Sequence, residues 1–293
     1  MSKIIKIAVD AMGGDNSPKK VIDGINHHYK SNANTFYKVF GDKEKIQNHI
    51  NDQLPTSSFE IIHTKDIVKG TDSPLEGAKR GKNTSMWLAI QSVKEKKSDI
   101  VISAGNTGAL LVISKLNLKM IENIDKPALS ALWPNKNNMS VVLDLGANIE
   151  CSPKNLIDFS IMGSSLFKSL YPDDTAKVAL LNIGSEELKG NEIIKETYQQ
   201  LNQRNNTGFE FKGYIEGNQL MNGDVNVIVA DGFTGNVALK TAEGTANFIT
   251  SELKKAMTGN IIGKISSLLN ISNLKKFKAR LDPRLYNGAI FIG

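Results

Sequence analysis

The sequence predicts an α/β fold of three layers, with helices on both faces of a mostly parallel sheet. Three observations predict it. Short runs rich in Val, Ile and Leu alternate with longer stretches of helical character along the chain. The runs are continuous in apolar residues, the pattern of strands buried on both faces. Glycine, asparagine, aspartate, serine and threonine collect at their carboxyl ends, where open parallel sheets receive ligands.

The elements follow in order. Ile4 to Val9 reads as a strand and Pro18 to Lys30 as a helix. Phe36 to Phe40 is a strand, Lys43 to Ile50 a short helix, and Phe59 to Ile62 a strand. Thr84 to Lys96 predicts a helix, Asp99 to Ser103 a strand and Thr107 to Asn117 a helix. Further strands are expected over Val141 to Leu145, Lys177 to Ile183 and Val225 to Ala230. Helices are expected over Pro153 to Leu170, Glu186 to Gln203 and Asn236 to Met257. No repeat, low-complexity tract or linker interrupts the series. A single α/β catalytic domain over residues 1–293 is the expectation, with a helical arm over residues 252–282.

The chain has 293 residues, 40% of them hydrophobic, enough to bury a large core. No run of about 18 apolar residues predicts a transmembrane helix. The first apolar run is short and ends at Asp10, so it reads as a strand and not a signal peptide. The single cysteine, Cys151, excludes an intrachain disulfide and a zinc site of several cysteines, which fits a cytoplasmic protein. The net charge of +6 is concentrated between Ser251 and Arg284, where eight basic residues face two acidic ones and the rest of the chain is neutral. A basic arm on a neutral body predicts an acidic partner: an acidic protein, an anionic membrane or a nucleic acid. The arm lacks aromatics interleaved with its bases, so nucleic acid is not expected.

Five strand-end loops concentrate the candidate chemistry. They are Asp10-Ala-Met-Gly13-Gly14-Asp15, Ser103-Ala-Gly105-Asn106-Thr107-Gly108, Asp144-Leu-Gly146-Ala-Asn148, Asn182-Ile-Gly184-Ser185-Glu186 with Lys189-Gly190-Asn191, and Asp231-Gly232-Phe-Thr234-Gly235-Asn236. They are expected to form one crevice. Glycine admits close backbone approach, and helix N-termini offer partial positive charge, so the expected guest is phosphate. Each loop also reads as a turn followed by a helix cap. A nucleotide P-loop, a G-x-G-x-x-G fingerprint and a G-x-S-x-G elbow are all lacking. His27, His28, His49 and His63 fall away from the loops and read as surface residues. Cys151 has no histidine placed to activate it and reads as passive. Neither a metal nor a cofactor is expected.

Together with Lys82-Asn83-Thr84-Ser85-Met86, these blocks give the chain a pattern that resembles the phosphate acyltransferase family, in family order and over nearly the whole length. The resemblance implies a fold like that of phosphotransacetylases and of isocitrate and isopropylmalate dehydrogenases. It implies a homodimer and a reaction in which acyl-[acyl carrier protein] and inorganic phosphate give acyl phosphate for phospholipid synthesis. Asn16 stands where many members carry histidine. Members usually continue for several tens of residues beyond the position of Gly293, so a short C-terminus is expected here.

On this reading Lys82, Asn83 and Ser85, with the amides near Asn106, Thr107 and Gly108, form an anion cradle. Thr234, Asn236 and Lys189 serve the oxyanion and the departing thiolate. Asp10, Asp144 and Asp231 orient these groups, and Gly13, Gly14, Ser103, Asn148, Gly184, Glu186, Asn191 and Gly235 complete the substrate-binding set. In the arm, Ile261, Ile262, Ile265, Leu268 and Leu269 share one helical face. Lys264, Lys275, Lys276, Lys278, Arg280 and Arg284 are expected to meet acyl carrier protein or an anionic membrane, and the apolar face equally suits packing against a dimer mate. Competing readings are a phosphotransacetylase using acyl-CoA, a metal- and NAD-dependent decarboxylating dehydrogenase, and an inactive membrane-associated scaffold. The scarcity of arginine argues against the dehydrogenase.

Overall fold

The computed structural model describes residues 4–50, 54–204, 208–281 and 290–293. The chain forms two compact units, Met1–Met120 and Ile121–Gly293.

In the first unit the strands are β1 (Ile5–Asp10), β2 (Thr35–Gly41), β3 (Phe59–His63) and β4 (Ile100–Ser103), and the helices are α1 (Lys19–Ser31), α2 (Lys43–Gln47), α3 (Pro74–Lys79), α4 (Ser85–Lys94) and α5 (Thr107–Leu118). The strands form one sheet in the order β3-β2-β1-β4, every pair parallel. Ile7, Val9, Tyr37 and Val39 pack under Ile22 and Ile25 of α1. Ala8 and Phe40 instead meet Ala89 of α4. Alternate residues of one strand thus face opposite helical layers, which explains why its apolar run is unbroken. The register sets Asp10 beside both Phe40 and Ser103, so the carboxyl ends of the central strands lie level.

In the second unit the strands are β5 (Ala128–Pro134), β6 (Met139–Leu143), β7 (Lys177–Asn182), β8 (Glu210–Glu216), β9 (Val227–Val229) and β10 (Ile290–Ile292). Its helices are α6 (Pro153–Leu170), α7 (Glu192–Gln203), α8 (Gly232–Thr258), α9 (Ile261–Leu269) and α10 (Ile271–Leu281). The sheet order is β10-β5-β6-β9-β7-β8. Strands β6, β9, β7 and β8 run parallel, and β5 and β10 add an antiparallel edge. One face packs Val141, Leu143, Val178, Leu180 and Val227 against Leu156 and Phe159 of α6. The other packs Val142, Ala179, Leu181 and Ile228 against Ala238, Leu239 and Ala242 of α8.

The α/β class with mainly parallel strands is as expected, but the strands fall into two sheets. Strands β5, β8 and β10 and the short α3 are additions to the sequence reading. Helix α7 starts at Glu192 and not Glu186, because Asn191 caps it, its Oδ1 accepting from the Ile194 amide at 2.9 Å. Helix α8 starts at Gly232 and not Asn236, because Asp231 is its cap. In the arm, Ile262 and Leu269 are 80% and 81% exposed, so the predicted apolar face of α9 is open in the single chain. Arg280 donates to the Asn135 carbonyl at 3.1 Å and is tied to the loop after β5. Lys264, Lys275, Lys276 and Lys278 are exposed, and Arg284 lies outside the described residues. Among the described residues no helix is long and apolar enough to cross a membrane.

Candidate active site

The five loops divide between the two units, each set at the carboxyl ends of its own sheet. In the first unit Asp10 ends β1 and Ser103 ends β4. Side by side in register, they bond through Ser103 Oγ to Asp10 Oδ2 at 2.7 Å. Asp10 Oδ1 accepts the Met12 amide at 3.3 Å, and Ser103 Oγ accepts the Gly105 amide at 3.1 Å. Asp10 is buried and therefore braces two turns. Gly13 rests on the second of them, since a Cβ there would come within 2.7 Å of the Gly105 nitrogen. Gly14 has φ +86° and lies against the Ala104 carbonyl, a conformation and a space that favour glycine.

Asn106 caps α5, its Oδ1 accepting from the Ala109 amide at 3.0 Å. Its amide group also donates to the carbonyls of Asp72 and Gly70, at 2.7 and 3.2 Å. The amides of Thr107 and Gly108 engage no acceptor found among the described residues, so the N-terminus of α5 keeps donors available. Gly108 also makes room for Pro74 of α3. Lys82 and Asn83 are exposed in the loop before α4, and Thr64 Oγ1 fixes that loop by donating to the Asn83 carbonyl at 2.6 Å. Ser85 is buried and its amide donates to the Asp66 carbonyl at 3.0 Å, so that amide serves the loop.

Sequence reasoning passed over Asp72 and Arg80. Their side chains pair, and the Arg80 hydrogen bond holds the Asp72 carboxyl below the usual carboxylate range. The pair fixes the carbonyls that orient Asn106. The available signal was the capping box of α3, Ser73 and Glu76 bonding reciprocally, which marks an ordered turn between them.

In the second unit Asp144 is fully buried at the end of β6. Its Oδ1 accepts the amides of Leu129, Gly146 and Ala147 at 3.0, 3.2 and 3.0 Å. Its Oδ2 accepts the Asn148 amide and side-chain nitrogen at 2.7 and 2.8 Å. Asn148 in turn donates to the Pro127 carbonyl at 2.7 Å, and its own carbonyl accepts the Gly232 amide at 2.7 Å. The β6 loop thereby positions the start of α8. Gly235 completes this junction: a Cβ there would lie 1.9 Å from the Asp144 carbonyl oxygen.

The start of α8 brings together Asp231, Thr234 and Asn236. Asp231 accepts from the Thr234 amide and from Thr234 Oγ1, both at 2.8 Å. Asn236, exposed, lies against Gly146. At the end of β7, Asn182 donates to the carbonyls of Gly184 and Lys189, each at 3.1 Å, and closes the 183–190 loop. Glu186 and Lys189 are exposed, and both lie against Gly184.

Beside Asp231, Thr234 and Asn191 lies a pocket of about 370 Å³. Cys151 lines it, buried, and burial pushes its thiol up to about 11, with the nearby Asp144 carboxylate acting in the same direction. His28 is bonded to Tyr37 and His63 to the Lys43 amide, both in the first unit. No three His, Cys, Asp or Glu side chains among the described residues are placed to hold a metal ion.

Residues 5–293 match a family model described as a fatty acid synthesis protein. A phosphate acyltransferase of Pelagibacter ubique (strain HTCC1062) is 95% identical over 293 residues, all of this chain and 88% of the relative. A phosphate acyltransferase of Rhodospirillum rubrum is 42% identical over 294 residues, all of this chain and 84% of that one. Among solved structures, EutD phosphotransacetylase from Staphylococcus aureus gives a TM-score of 0.58 at 16% identity, covering 83% of this chain and 82% of its own. A phosphotransacetylase from Streptococcus pyogenes gives 0.58 at 16% identity over 84% and 83%. At that identity the likeness is one of fold, and the fold is phosphotransacetylase-like.

Proposed function

This chain belongs to the phosphate acyltransferase family and is an acyltransferase, and from that premise we propose that it moves a fatty acyl group from acyl-[acyl carrier protein] to inorganic phosphate. The acyl phosphate formed then serves phospholipid synthesis. A phosphate oxygen attacks the thioester carbonyl, the tetrahedral adduct collapses, and the C–S bond breaks. The carrier leaves as a thiolate and takes up a proton. A thioester is already activated, so the work of the protein is positioning and charge stabilisation, with no covalent intermediate.

The observation that carries the reading is the N-terminus of α5. Asn106 is locked by three hydrogen bonds, and the amides of Thr107 and Gly108 remain as donors beside a glycine turn braced by Asp10 and Ser103. That is a seat for a small oxyanion. Lys82 and Asn83, exposed next to α4, supply its charge and further donors. In the second unit Asn236 and Lys189 serve the oxyanion and the thiolate, while the Thr234 hydroxyl gives its one proton to Asp231 and is not a donor to either. Asp144 acts on substrate only through the loops it organises.

The donor is the carrier thioester because the exposed bases of α9 and α10 suit an acidic protein. The same bases, with the open apolar face of α9, support peripheral binding to an anionic bilayer, and that face equally supports a homodimer. The working site is the cytoplasm. The test is acyl phosphate formation from palmitoyl-[acyl carrier protein], with and without inorganic phosphate, beside palmitoyl-CoA. Phosphate-dependent turnover of the carrier substrate is expected. Turnover of palmitoyl-CoA alone would replace the reading with a phosphotransacetylase, and turnover of neither by the folded chain would favour a scaffold.

A further inference from the structure

We propose that the pocket beside the first turn of α8 holds the fatty acyl chain next to its carbonyl, and that Phe233 and Ile193 at its rim set chain-length preference. The inference rests on the acyltransferase reading above and names the part of the substrate this pocket takes.

The pocket measures about 370 Å³, the size of a small-molecule site. Its floor is Cys151, Leu156 and Ile194, all buried. Its rim is Ile149, Ile193 and Phe233, and Phe233 is 63% exposed in the single chain. A large ring left open at the mouth of an apolar floor marks a surface built to be covered. No lysine or arginine lines the pocket, so it is not a seat for phosphate. The Cys151 thiol stays neutral there and behaves as a small apolar group. The polar lining is Glu150, Asn191, Asp231 and Thr234. Phe233 and Thr234 are adjacent in the first turn of α8 and both line the pocket, so the aromatic surface offered to the methylenes stands next to a polar group.

Two readouts test this. The first is the ratio of kcat/KM for palmitoyl over butyryl donors, in the wild type and in Ile193→Trp and Phe233→Ala, both changes at exposed or half-exposed positions. Each methylene withdrawn from apolar contact is worth about fourfold, so the ratio falls by about tenfold or more in either variant. An unchanged ratio in both would overturn the proposal. The second needs no turnover. Cys151 is the only cysteine, and its alkylation by N-ethylmaleimide at about pH 9 is followed by intact mass. Decyl phosphate at several times its dissociation constant slows that alkylation about fivefold, and the same concentration of inorganic phosphate leaves it unchanged. Equal slowing by the two, or by neither, would overturn the proposal. Failure of the wild type to use any carrier donor would remove the proposed function, while the alkylation result still decides what the pocket binds.

Discussion

Replacing Asp144 by alanine removes the acceptor for five hydrogen bonds at once. Gly146 is exposed, so its amide regains a water; the other donors belong to half-buried residues. At about 1 kcal/mol for each of these four, the loss is about 4 kcal/mol. The isosteric Asp144→Asn is graded more finely. If its carbonyl takes the Oδ1 position, the amides of Leu129, Gly146 and Ala147 stay bonded while its NH2 group confronts the two Asn148 donors. The expected loss is about 2 kcal/mol. The assay is urea unfolding followed by Trp133 fluorescence in a Trp87→Phe background, because Trp133 is buried in the second unit, in the strand beside the Asp144 loop. The order wild type, Asp144→Asn, Asp144→Ala in falling midpoint is required. A loss below about 1 kcal/mol for Asp144→Ala at unchanged denaturant slope would refute the view that this carboxylate organises the junction with α8.

The exposed Lys82 allows Lys82→Ala to leave the unfolding midpoint in place while phosphate-dependent turnover falls by about a hundredfold or more; unchanged kinetics would take Lys82 out of the cradle. Gly235→Ala improves helix propensity yet places a Cβ 1.9 Å from the Asp144 carbonyl oxygen, so it destabilises by about 2 kcal/mol or more, and a neutral result would show that the junction yields. The Cys151 thiol is raised from 9.0 to about 11, so the unfolded thiol ionises first and native stability falls as pH rises through that window. Cys151→Ala flattens that slope, and alkylation of native Cys151 by iodoacetamide accelerates toward about pH 11; a thiol titrating near 9.0 in the native protein would contradict the burial argument. Reversing Lys275, Lys276 and Lys278 to glutamate weakens binding of acidic carrier protein or anionic vesicles by about a hundredfold at low salt, at about 1 kcal/mol per base, and the difference shrinks as salt rises. Binding indifferent to both charge and salt would detach the arm from any acidic partner.

The parts of the fold legible in the sequence are those in which one physical cause dominates. The β1, β7 and β9 strands are buried on both faces, so their apolar runs stand out. The β8 strand was hidden because a bulge places Lys212 and Gly213, with φ +81°, in its middle and breaks the run. The β5 strand buries Ala128, Ser130 and Trp133 but leaves the residues between them half open and ends on Pro134, so it reads as a connection. Division of the strands between two sheets leaves no trace in any single strand, because pairing is decided by partners far away in the chain.

The candidate site divides along the same line. Asp10 with Ser103, Asp144 with Asn148, and Asp231 with Thr234 could be located because each pair sits at a strand end in a polar, glycine-bearing block. What the blocks do not reveal is direction. The oxygens of Asp144 turn inward to backbone amides, and one Asp231 carboxylate both caps α8 and fixes the Thr234 hydroxyl. Such a carboxylate looks the same in sequence as one that meets a ligand, since only the position of its donors separates the two. The pocket is less legible still. Its floor draws Cys151, Leu156 and Ile194 from two segments, and its rim adds Phe233 from a third. Phe233 shows why. Inside a motif it passes as a spacer between Gly232 and Thr234, and in a helical pattern its exposure looks like an error of amphipathicity. Only when the turn is set beside residues of α6 and α7 does this exposed ring become part of a pocket's rim.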